Sequence, residues 1–438
     1  MSAQHANTAE PPALERSRAS LAIKPEMKKP AVLISHPTGN QNLRNALLSL
    51  VENGMLAEFW TTVAWDRESV WNRLLPSGLR SQLARRSFPD TPKDRIHCVP
   101  LRETIRLTAK PLHLESMLCS AERPFSVIGM YRNFDARVAA RLRTARVDAV
   151  YAYEGGALNT FREARQLGIA AIYELPSSHW YWEQTLLLEE AERSPQFSGL
   201  LPKLKDSPRH MQWKDEELRL ADCVIVPSEH VRRTLSGVVP AEKIRVVNYG
   251  APFVEAIRSR SDDPAEPLRV LFVGALIQRK GIGYLLDAID MVGTQVTLTL
   301  VGMRFAPNTR VDSACNRWRW FESLSHSEIL EVMQEADVLV LPSLAEGCAL
   351  VVLEALACGL PVIVTPNTGS LEFVRDGYEG FVVPTCNSEA IAERLNRLCR
   401  DRDLLASMSQ YARQTAIEKS WEVYRNEWAE AVRGAICQ

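Results

Sequence analysis

The chain has 438 residues, of which 46% are hydrophobic and 24% are charged, and its formal net charge is −1. This length accommodates two or three domains with sizeable cores, and the charge balance excludes the strong basic excess typical of nucleic-acid-binding proteins. Nine scattered cysteines without a Cys-x-x-Cys pair indicate reduced thiols in the core of a cytoplasmic protein, not a disulfide framework or a zinc site.

Residues 1–28 carry proline, serine and mixed charges, which predicts a flexible tail and not a signal peptide. No run of about 18 uncharged apolar residues occurs, so we expect no transmembrane helix. A basic stretch mixed with apolar residues leaves two interpretations open, a surface for an anionic acceptor or peripheral membrane contact, and a plain solvated face. Its basic residues are Arg73, Arg80, Arg85, Arg86, Lys93 and Arg95.

Strand-like and helix-like segments alternate over residues 29–258, which predicts a Rossmann-like domain with a doubly wound parallel sheet. A first strand, Ala31–Ser35, leads through a loop into a helix over about Gln41–Asn53. Gly39 and Asn40 in that loop are candidate acceptor contacts, or they form only a strand-to-helix turn. Later strands are predicted at Asp148–Tyr153, Ile169–Glu174, Cys223–Pro227 and Ile244–Asn248, and the segment between Trp60 and Arg132 shows no clear pattern.

The polar stretch over residues 259–267 predicts a hinge, followed by a second Rossmann-like domain over residues 268–420. Its strands are predicted at Arg269–Gly274, Val296–Gly302, Asp337–Pro342, Pro361–Thr365 and Phe381–Pro384. The closing helices are predicted at Glu389–Cys399, Arg402–Lys419 and Trp421–Ile436. Two such halves place a ligand cleft between the carboxyl ends of both sheets. Neither half has a Gly-x-Gly-x-x-Gly motif after its first strand, which disfavours a hydride-transferring enzyme.

Two glutamates, Glu346 and Glu354, stand eight positions apart in the segment LPSLAEGCALVVLEALACG. The pattern predicts a helix over Gly347–Cys358, with Glu346 in the loop at its mouth and Glu354 about two turns inside. A glutamate at a helix start is ordinarily a partner of the helix dipole, and a glutamate further inside a helix ordinarily faces solvent. Glu354, however, lies among apolar neighbours and therefore needs a partner, such as the hydroxyls of a ligand.

The first amides of this predicted helix, at Gly347, Cys348, Ala349 and Leu350, are the donors that a helix start leaves unpaired. With the helix dipole they form an anion site. A diphosphate held between two hydroxylated groups fits that arrangement, because one carboxylate can reach each set of hydroxyls. A sugar nucleotide is such a molecule.

The first strand of the second half ends in VGALIQRKG, which places Gly274, Arg279 and Lys280 before a helix. A turn with two cations can neutralise a departing diphosphate without a metal, although a Lys-Gly pair is also a common solvated turn.

His179 follows the strand Ile169–Glu174, where a doubly wound sheet presents catalytic loops, and histidine can position or exchange a proton near neutral pH. It is equally well explained as a packed neighbour of the adjoining aromatic residues.

These segments together resemble the family 4 retaining glycosyltransferases of the GT-B fold. ADCVIVPSEHVRRTL and FVGALIQRKG are similar to the family's strand before the hinge and to its phosphate loop. EGCALVVLEALACGLPVIVTPNTGSLEFVRDGYEGFVVP resembles its Glu-x7-Glu region, which is the specific match. The sequence departs at Ala275, where the family usually has arginine, and at Cys348-Ala349, where it usually has Phe-Gly.

The resemblance implies that Glu346 contacts the donor sugar, that Glu354 binds the ribose and that Lys280 stabilises the diphosphate. It implies transfer with retention of anomeric configuration, from a nucleotide-diphosphate sugar to an acceptor, with no metal or cofactor. It also implies that the helix Trp421–Ile436 packs back on the first domain. Two alternatives stay open, a GT-B epimerase acting on a sugar nucleotide and a non-catalytic module that binds nucleotide sugars.

Overall fold

A computed structural model describes residues 29–66, 68, 80, 83–109, 123–201, 207–255, 263 and 265–437. The first sheet has seven parallel strands in the order β3-β2-β1-β4-β5-β6-β7. These strands are β1 (Val32–Ser35), β2 (Leu56–Thr61), β3 (Ile96–Cys98), β4 (Ala149–Tyr153), β5 (Ala170–Glu174), β6 (Cys223–Val226) and β7 (Ile244–Val246). The described helices of this half are α1 (Gln41–Glu52), α2 (Leu101–Ala109), α3 (Val127–Leu142), α4 (Leu158–Leu167), α5 (Trp180–Arg193), α6 (Pro208–Leu220) and α7 (Glu229–Thr234).

The second sheet has six parallel strands in the order β10-β9-β8-β11-β12-β13. These strands are β8 (Leu268–Val273), β9 (Val296–Val301), β10 (Arg319–Phe321), β11 (Val338–Leu341), β12 (Val362–Val364) and β13 (Gly380–Val382). Its helices are α8 (Ile282–Val292), α9 (Thr309–Arg317), α10 (His326–Glu335), α11 (Leu350–Ala357), α12 (Ser388–Arg400), α13 (Arg402–Glu418) and α14 (Trp421–Ile436).

Strands near the centre of each sheet, such as β1 and β11, are apolar on both faces, as expected where helices cover a parallel sheet on two sides. All four residues of β11, the run VLVL, are fully buried, as are Val32, Leu33 and Ile34 of β1. Parallel strands without a polar face are the reason that the sequence reads as short continuous apolar runs. The carboxyl ends of the two sheets carry the loops described below.

The last helix, α14, returns to the first domain. The hydroxyl of Ser49 in α1 donates to the carbonyl of Arg425 at 2.6 Å, and the Arg425 guanidinium lies 3.0 Å from the Glu52 carboxylate. Trp428 is fully buried and meets the ring of Tyr151 edge-on, with centroids 5.1 Å apart. Through these contacts the end of the chain ties α1 and the first sheet to the helices of the second domain.

The strands predicted from the sequence are present, with ends that differ by one to two residues. Three strands, β2, β3 and β10, were not predicted. The tail over residues 1–28 lies outside the described residues, and of the hinge only residue 263 and residues 265–267 lie within them. Among the described residues no helix is long and apolar enough to cross a membrane.

Two expectations about individual side chains need correction. Arg86 of the basic stretch is buried and forms an ion pair with the fully buried Glu103, so it does not belong to a solvated or membrane-facing surface. Arg73 of the same stretch lies outside the described residues. Cys98 and Cys437 are exposed, so the cysteines are not all core residues.

Candidate functional site

The two domains meet at the loop between β11 and α11, which carries Glu346 and Gly347. The hydroxyl of Ser178, in the loop after β5, donates to the Glu346 carbonyl at 3.3 Å. The hydroxyl of Ser228, which follows β6, donates to the Gly347 carbonyl at 2.5 Å. The carboxyl ends of both sheets therefore face each other across this loop, where a doubly wound fold presents its ligand site.

The Glu346 carboxylate is the centre of a charged cluster in the cleft. It forms an ion pair with the Lys280 ammonium group, and the Arg279 guanidinium lies 3.5 Å from the same oxygen, Oε1. Ser343 donates its hydroxyl to that oxygen at 3.2 Å, and the backbone amide of Glu346 donates to the Asn367 carbonyl at 3.0 Å. Glu346 is thus held by both its backbone and its side chain.

A tight turn brings the two cations to Glu346. Gln278–Lys280 forms one 3₁₀ turn that ends at Gly281, whose φ of 75° is left-handed. A Cβ on Gly281 would overlap the carbonyl oxygen of Pro342, so the turn packs directly on the end of β11 and requires glycine. Arg279 donates to the Ala345 carbonyl at 2.5 Å. The predicted grouping of Lys280, Arg279 and Glu346 is therefore present in the structure, and Gly274 precedes this turn at the end of β8.

Helix α11 begins at Leu350 and not at Gly347, so the predicted helix start was three residues too early. The amide of Ala349 donates to the Thr368 carbonyl at 3.1 Å, which corrects the expectation that it belongs to a row of unpaired donors. Cys348 and Ala349 have buried side chains. A donor role for the amides of Gly347, Cys348 and Leu350 stays a prediction.

Glu354 lies on the fifth residue of α11, and its partner in the structure is His326 at the start of α10. His326 Nδ1 is 3.5 Å from Glu354 Oε1. Burial raises the pKa of Glu354, and the His326 charge acts in the opposite direction. Glu354 therefore does have a partner, as burial among apolar residues requires, and ribose binding stays a prediction.

His179 precedes the first residue of α5 and is only 5% exposed. Its Nε2 lies 3.2 Å from Oδ1 of Asp215, which also accepts from the Trp180 indole at 2.7 Å. Burial lowers the pKa of His179, while Asp215 acts in the opposite direction. The ring is therefore neutral at pH 7. Because a carboxylate only accepts, Nε2 carries the proton and Nδ1 keeps a lone pair.

The predicted acceptor residues Gly39 and Asn40 have structural tasks at the start of α1. The Asn40 side chain accepts from the Leu43 amide at 2.8 Å and caps the helix. The Gly39 amide donates to His36 Nδ1 at 2.9 Å, and a Cβ on Gly39 would meet the Phe88 ring at 2.8 Å. These contacts favour the strand-to-helix turn, and an acceptor contact by this loop stays a prediction.

Several residues near Glu346 were not identified from the sequence. Glu183 of α5 faces Arg279, with 3.7 Å between carboxylate and guanidinium, and burial raises its pKa. His230 of α7 contacts the Ser178 hydroxyl at 3.1 Å. Asp215 stands 36 positions after His179. None of these partners is close in sequence to the residue it contacts, so only the three-dimensional fold brings them together.

The lowered pKa of His230 predicts how the stability of the protein changes in acid. Burial lowers its pKa from 6.5 to about 4, with the Arg233 charge as a second cause. Below pH 6.5 the unfolded chain binds a proton here that the folded protein does not bind until near pH 4, so stability falls with decreasing pH in this range. Replacing His230 with glutamine should reduce the stability lost between pH 7 and pH 5 by about 2 kcal/mol. Urea unfolding at the two pH values measures this, and an unchanged difference would contradict it.

A second prediction concerns the contact between the domains at Gly347. A Cβ built there would overlap the carbonyl oxygen of Pro176 in the first domain. Gly347→Ala should therefore push the loop and Pro176 apart, lower the melting temperature and reduce activity by roughly 10-fold or more, because small displacements of reacting groups are costly. Gly434→Ala on the exposed surface of α14, where nothing lies within 4 Å of the added Cβ, is the matched control. Equal activity of the two variants would argue against a tight contact.

The chain is similar in sequence to known glycosyltransferases. The profile of the family described as glycosyl transferases group 1 matches residues 253–415. An uncharacterized glycosyltransferase of Methanocaldococcus jannaschii is 30% identical over 154 residues, which are 35% of this chain and 44% of that protein. The N,N'-diacetylbacillosaminyl-diphospho-undecaprenol alpha-1,3-N-acetylgalactosaminyltransferase of Campylobacter jejuni is 29% identical over 150 residues, 34% of this chain and 40% of that protein. The chain thus spans less than half the length of these two relatives.

The crystal structure of HepE from Anabaena in complex with UDP and glucose is similar to this chain with a TM-score of 0.62. The sequence identity is 17%, and the match covers 92% of this chain and 100% of that one. At such identity the likeness shows the fold alone, and it confirms the GT-B architecture expected from the sequence. Lys280, Glu346 and Glu354 all lie within the segment that matches the family profile. Residues 253–415 therefore match the profile of the glycosyl transferases group 1 family, in a chain with the GT-B fold.

Proposed function

We propose that this protein transfers a glycosyl group from a nucleotide-diphosphate sugar to an acceptor held by the first domain. The observation that carries the proposal is the convergence of Lys280 and Arg279 on the Glu346 carboxylate, at the point where the two domains face each other. The names of the relatives support it, since the Campylobacter protein is by its name an N-acetylgalactosaminyltransferase and HepE was solved with UDP and glucose.

The charges of the cluster suit a departing nucleoside diphosphate. As the bond between sugar and diphosphate breaks, negative charge grows on the phosphate oxygens, and Lys280 and Arg279 stabilise it without a metal ion. Glu346, anchored by Ser343, accepts hydrogen bonds from hydroxyls of the donor sugar and fixes its orientation. Transfer then retains the anomeric configuration, as in the family that the sequence resembles.

The first domain supplies the acceptor side. His179, neutral and with its Nε2–H directed to Asp215, keeps Nδ1 as an acceptor for a substrate hydroxyl. The contacts of Ser178 and Ser228 with the Glu346 loop close the cleft on this side. A closed cleft excludes water and so limits hydrolysis of the donor.

A panel of sugar nucleotides tests the proposal. The purified protein is incubated with UDP-, GDP-, ADP- and dTDP-sugars, and thermal stabilisation and release of nucleoside diphosphate are measured. We expect at least one donor to stabilise the protein and to be hydrolysed slowly without acceptor. Absence of both effects for every donor would contradict donor binding. Conversion of the donor into its epimer without acceptor would instead support the epimerase alternative, and binding without turnover across a panel of acceptors would support a non-catalytic module.

A further inference from the structure

Helix α5 leaves the cleft at His179 and extends from the first domain onto the second. Near its end, Glu190 is fully buried, and its carboxylate accepts hydrogen bonds from three groups of the second domain. Gln278 Nε2 donates at 2.7 Å, the Tyr284 hydroxyl at 2.8 Å and the Cys386 thiol at 3.6 Å. The Arg193 guanidinium of the same helix lies 3.5 Å from this carboxylate, so a carboxylate of one domain is satisfied mainly by donors of the other.

The first of these donors belongs to the turn that carries the cations. Gln278 immediately precedes Arg279, and its side-chain oxygen accepts from the Gly283 amide at 3.1 Å, at the start of α8. The Gln278 side-chain amide therefore has a fixed orientation, because its nitrogen donates to Glu190 and its oxygen accepts from the backbone of α8. Because Gln278, Arg279 and Lys280 form one hydrogen-bonded turn, fixing Gln278 also holds the backbone from which the Arg279 and Lys280 side chains extend.

The same helix contacts the turn at a second point. Glu183 lies seven residues before Glu190, which is two turns of helix and the same face, and its carboxylate is 3.7 Å from the Arg279 guanidinium. Phe197, just after α5, packs against Gly283, where a Cβ would meet its ring at 2.5 Å. The segment from Glu183 to Phe197 thus supports the cation-bearing turn from the side of the first domain.

We propose that Glu190 is a positioning residue, which holds the turn Gln278–Lys280 in the conformation that binds the diphosphate of the donor. This role rests on the proposed function, since it presumes that Lys280 and Arg279 bind a diphosphate. Removing the carboxylate leaves the buried Gln278 donor without its acceptor, whereas the half-buried Tyr284 hydroxyl keeps its contact with Ser194, so the turn relaxes toward other hydrogen bonds. The affinity for the diphosphate then falls, although Glu190 does not touch it.

The test compares Glu190→Ala and Glu190→Gln with Glu189→Ala, an exposed neighbour on the same helix. The probes are UDP, GDP, ADP and dTDP, and their Kd values are measured by calorimetry well below the melting temperature of each variant. For the diphosphate that the wild type binds, we expect Glu190→Ala to raise Kd at least 10-fold, Glu190→Gln to raise it about 3-fold, and Glu189→Ala to leave it unchanged. The donor KM in the hydrolysis assay should rise by the same factors.

The outcomes separate the two proposals. If the Glu190 variants lower the melting temperature while their Kd values match that of Glu189→Ala, the residue only stabilises the fold and the positioning role is overturned. Should Glu190→Ala fail to fold, Glu190→Gln, which keeps the size of the side chain, decides by the same criterion. If the wild type binds none of the four diphosphates, donor binding itself is contradicted and the Glu190 role falls with it.

Discussion

Replacing Glu346 with glutamine is expected to lower the rate of the proposed glycosyl transfer by about 100- to 1,000-fold, the range found when one electrostatic contact to a reacting group is removed. Glutamine keeps the size of the side chain and can still accept from Ser343. It loses the charge that forms the ion pair with Lys280 and that, in the proposed function, holds the hydroxyls of the donor sugar. The fold should persist, because the backbone amide of residue 346 stays bonded to Asn367.

The measurement is kcat with a saturating donor, alongside the melting temperature. Glu331→Gln, an exposed change on α10 of the same domain, is the control and should behave as the wild type. A Glu346→Gln variant with full activity would remove the residue from the mechanism. A variant that has lost its fold would show that the ion pair with Lys280 is needed for stability, contrary to our expectation that the fold persists.

Replacing Lys280 with alanine is expected to have an effect of similar size, but one that also appears in donor binding. The ammonium group is the nearest cation to Glu346, and it lies in a cleft where charge is only partly screened. Its removal should raise the Kd of the nucleoside diphosphate by roughly 10-fold or more and lower kcat by about 100-fold. Arg279, 3.5 Å from Glu346, compensates only in part, because it is already bonded to the Ala345 carbonyl.

Lys280→Arg separates the contribution of charge from that of shape. Arginine keeps the positive charge but is larger and planar, so we expect binding of the diphosphate to recover more than turnover does. Calorimetry with the nucleoside diphosphate and a steady-state assay with the donor provide both quantities. If Lys280→Ala binds the diphosphate as tightly as the wild type, the phosphate contact lies elsewhere in the cleft.

The architecture was predictable because its signal is local. Apolar runs such as Val338–Leu341 alternate with helical segments, and a polar stretch separates the two halves. The placement of Lys280 beside Glu346 followed from the same logic, since loops after neighbouring parallel strands meet at one edge of a sheet. β8 and β11, which these loops follow, are neighbours in the second sheet.

The partners of these residues were not predictable in this way. Asp215 beside His179, His326 beside Glu354 and Gln278 beside Glu190 are joined by folding across separations for which the sequence has no periodic signal. The start of α11 was misplaced for a related reason. A helix that began at Gly347 would need the carbonyls of Glu346 and Gly347 for its first hydrogen bonds, but these accept from Ser178 and Ser228 of other loops, and the helix begins at Leu350.

The most direct test of donor binding at Lys280, Arg279 and Glu346 is a crystal structure of the protein with the nucleotide sugar that stabilises it best in the donor panel. We expect the diphosphate to lie within hydrogen-bonding distance of Lys280 or Arg279. We also expect a sugar hydroxyl to donate to the Glu346 carboxylate and the ribose to contact Glu354. A nucleotide bound in the cleft without contact to Lys280, Arg279 and Glu346, or bound outside the cleft, would contradict it.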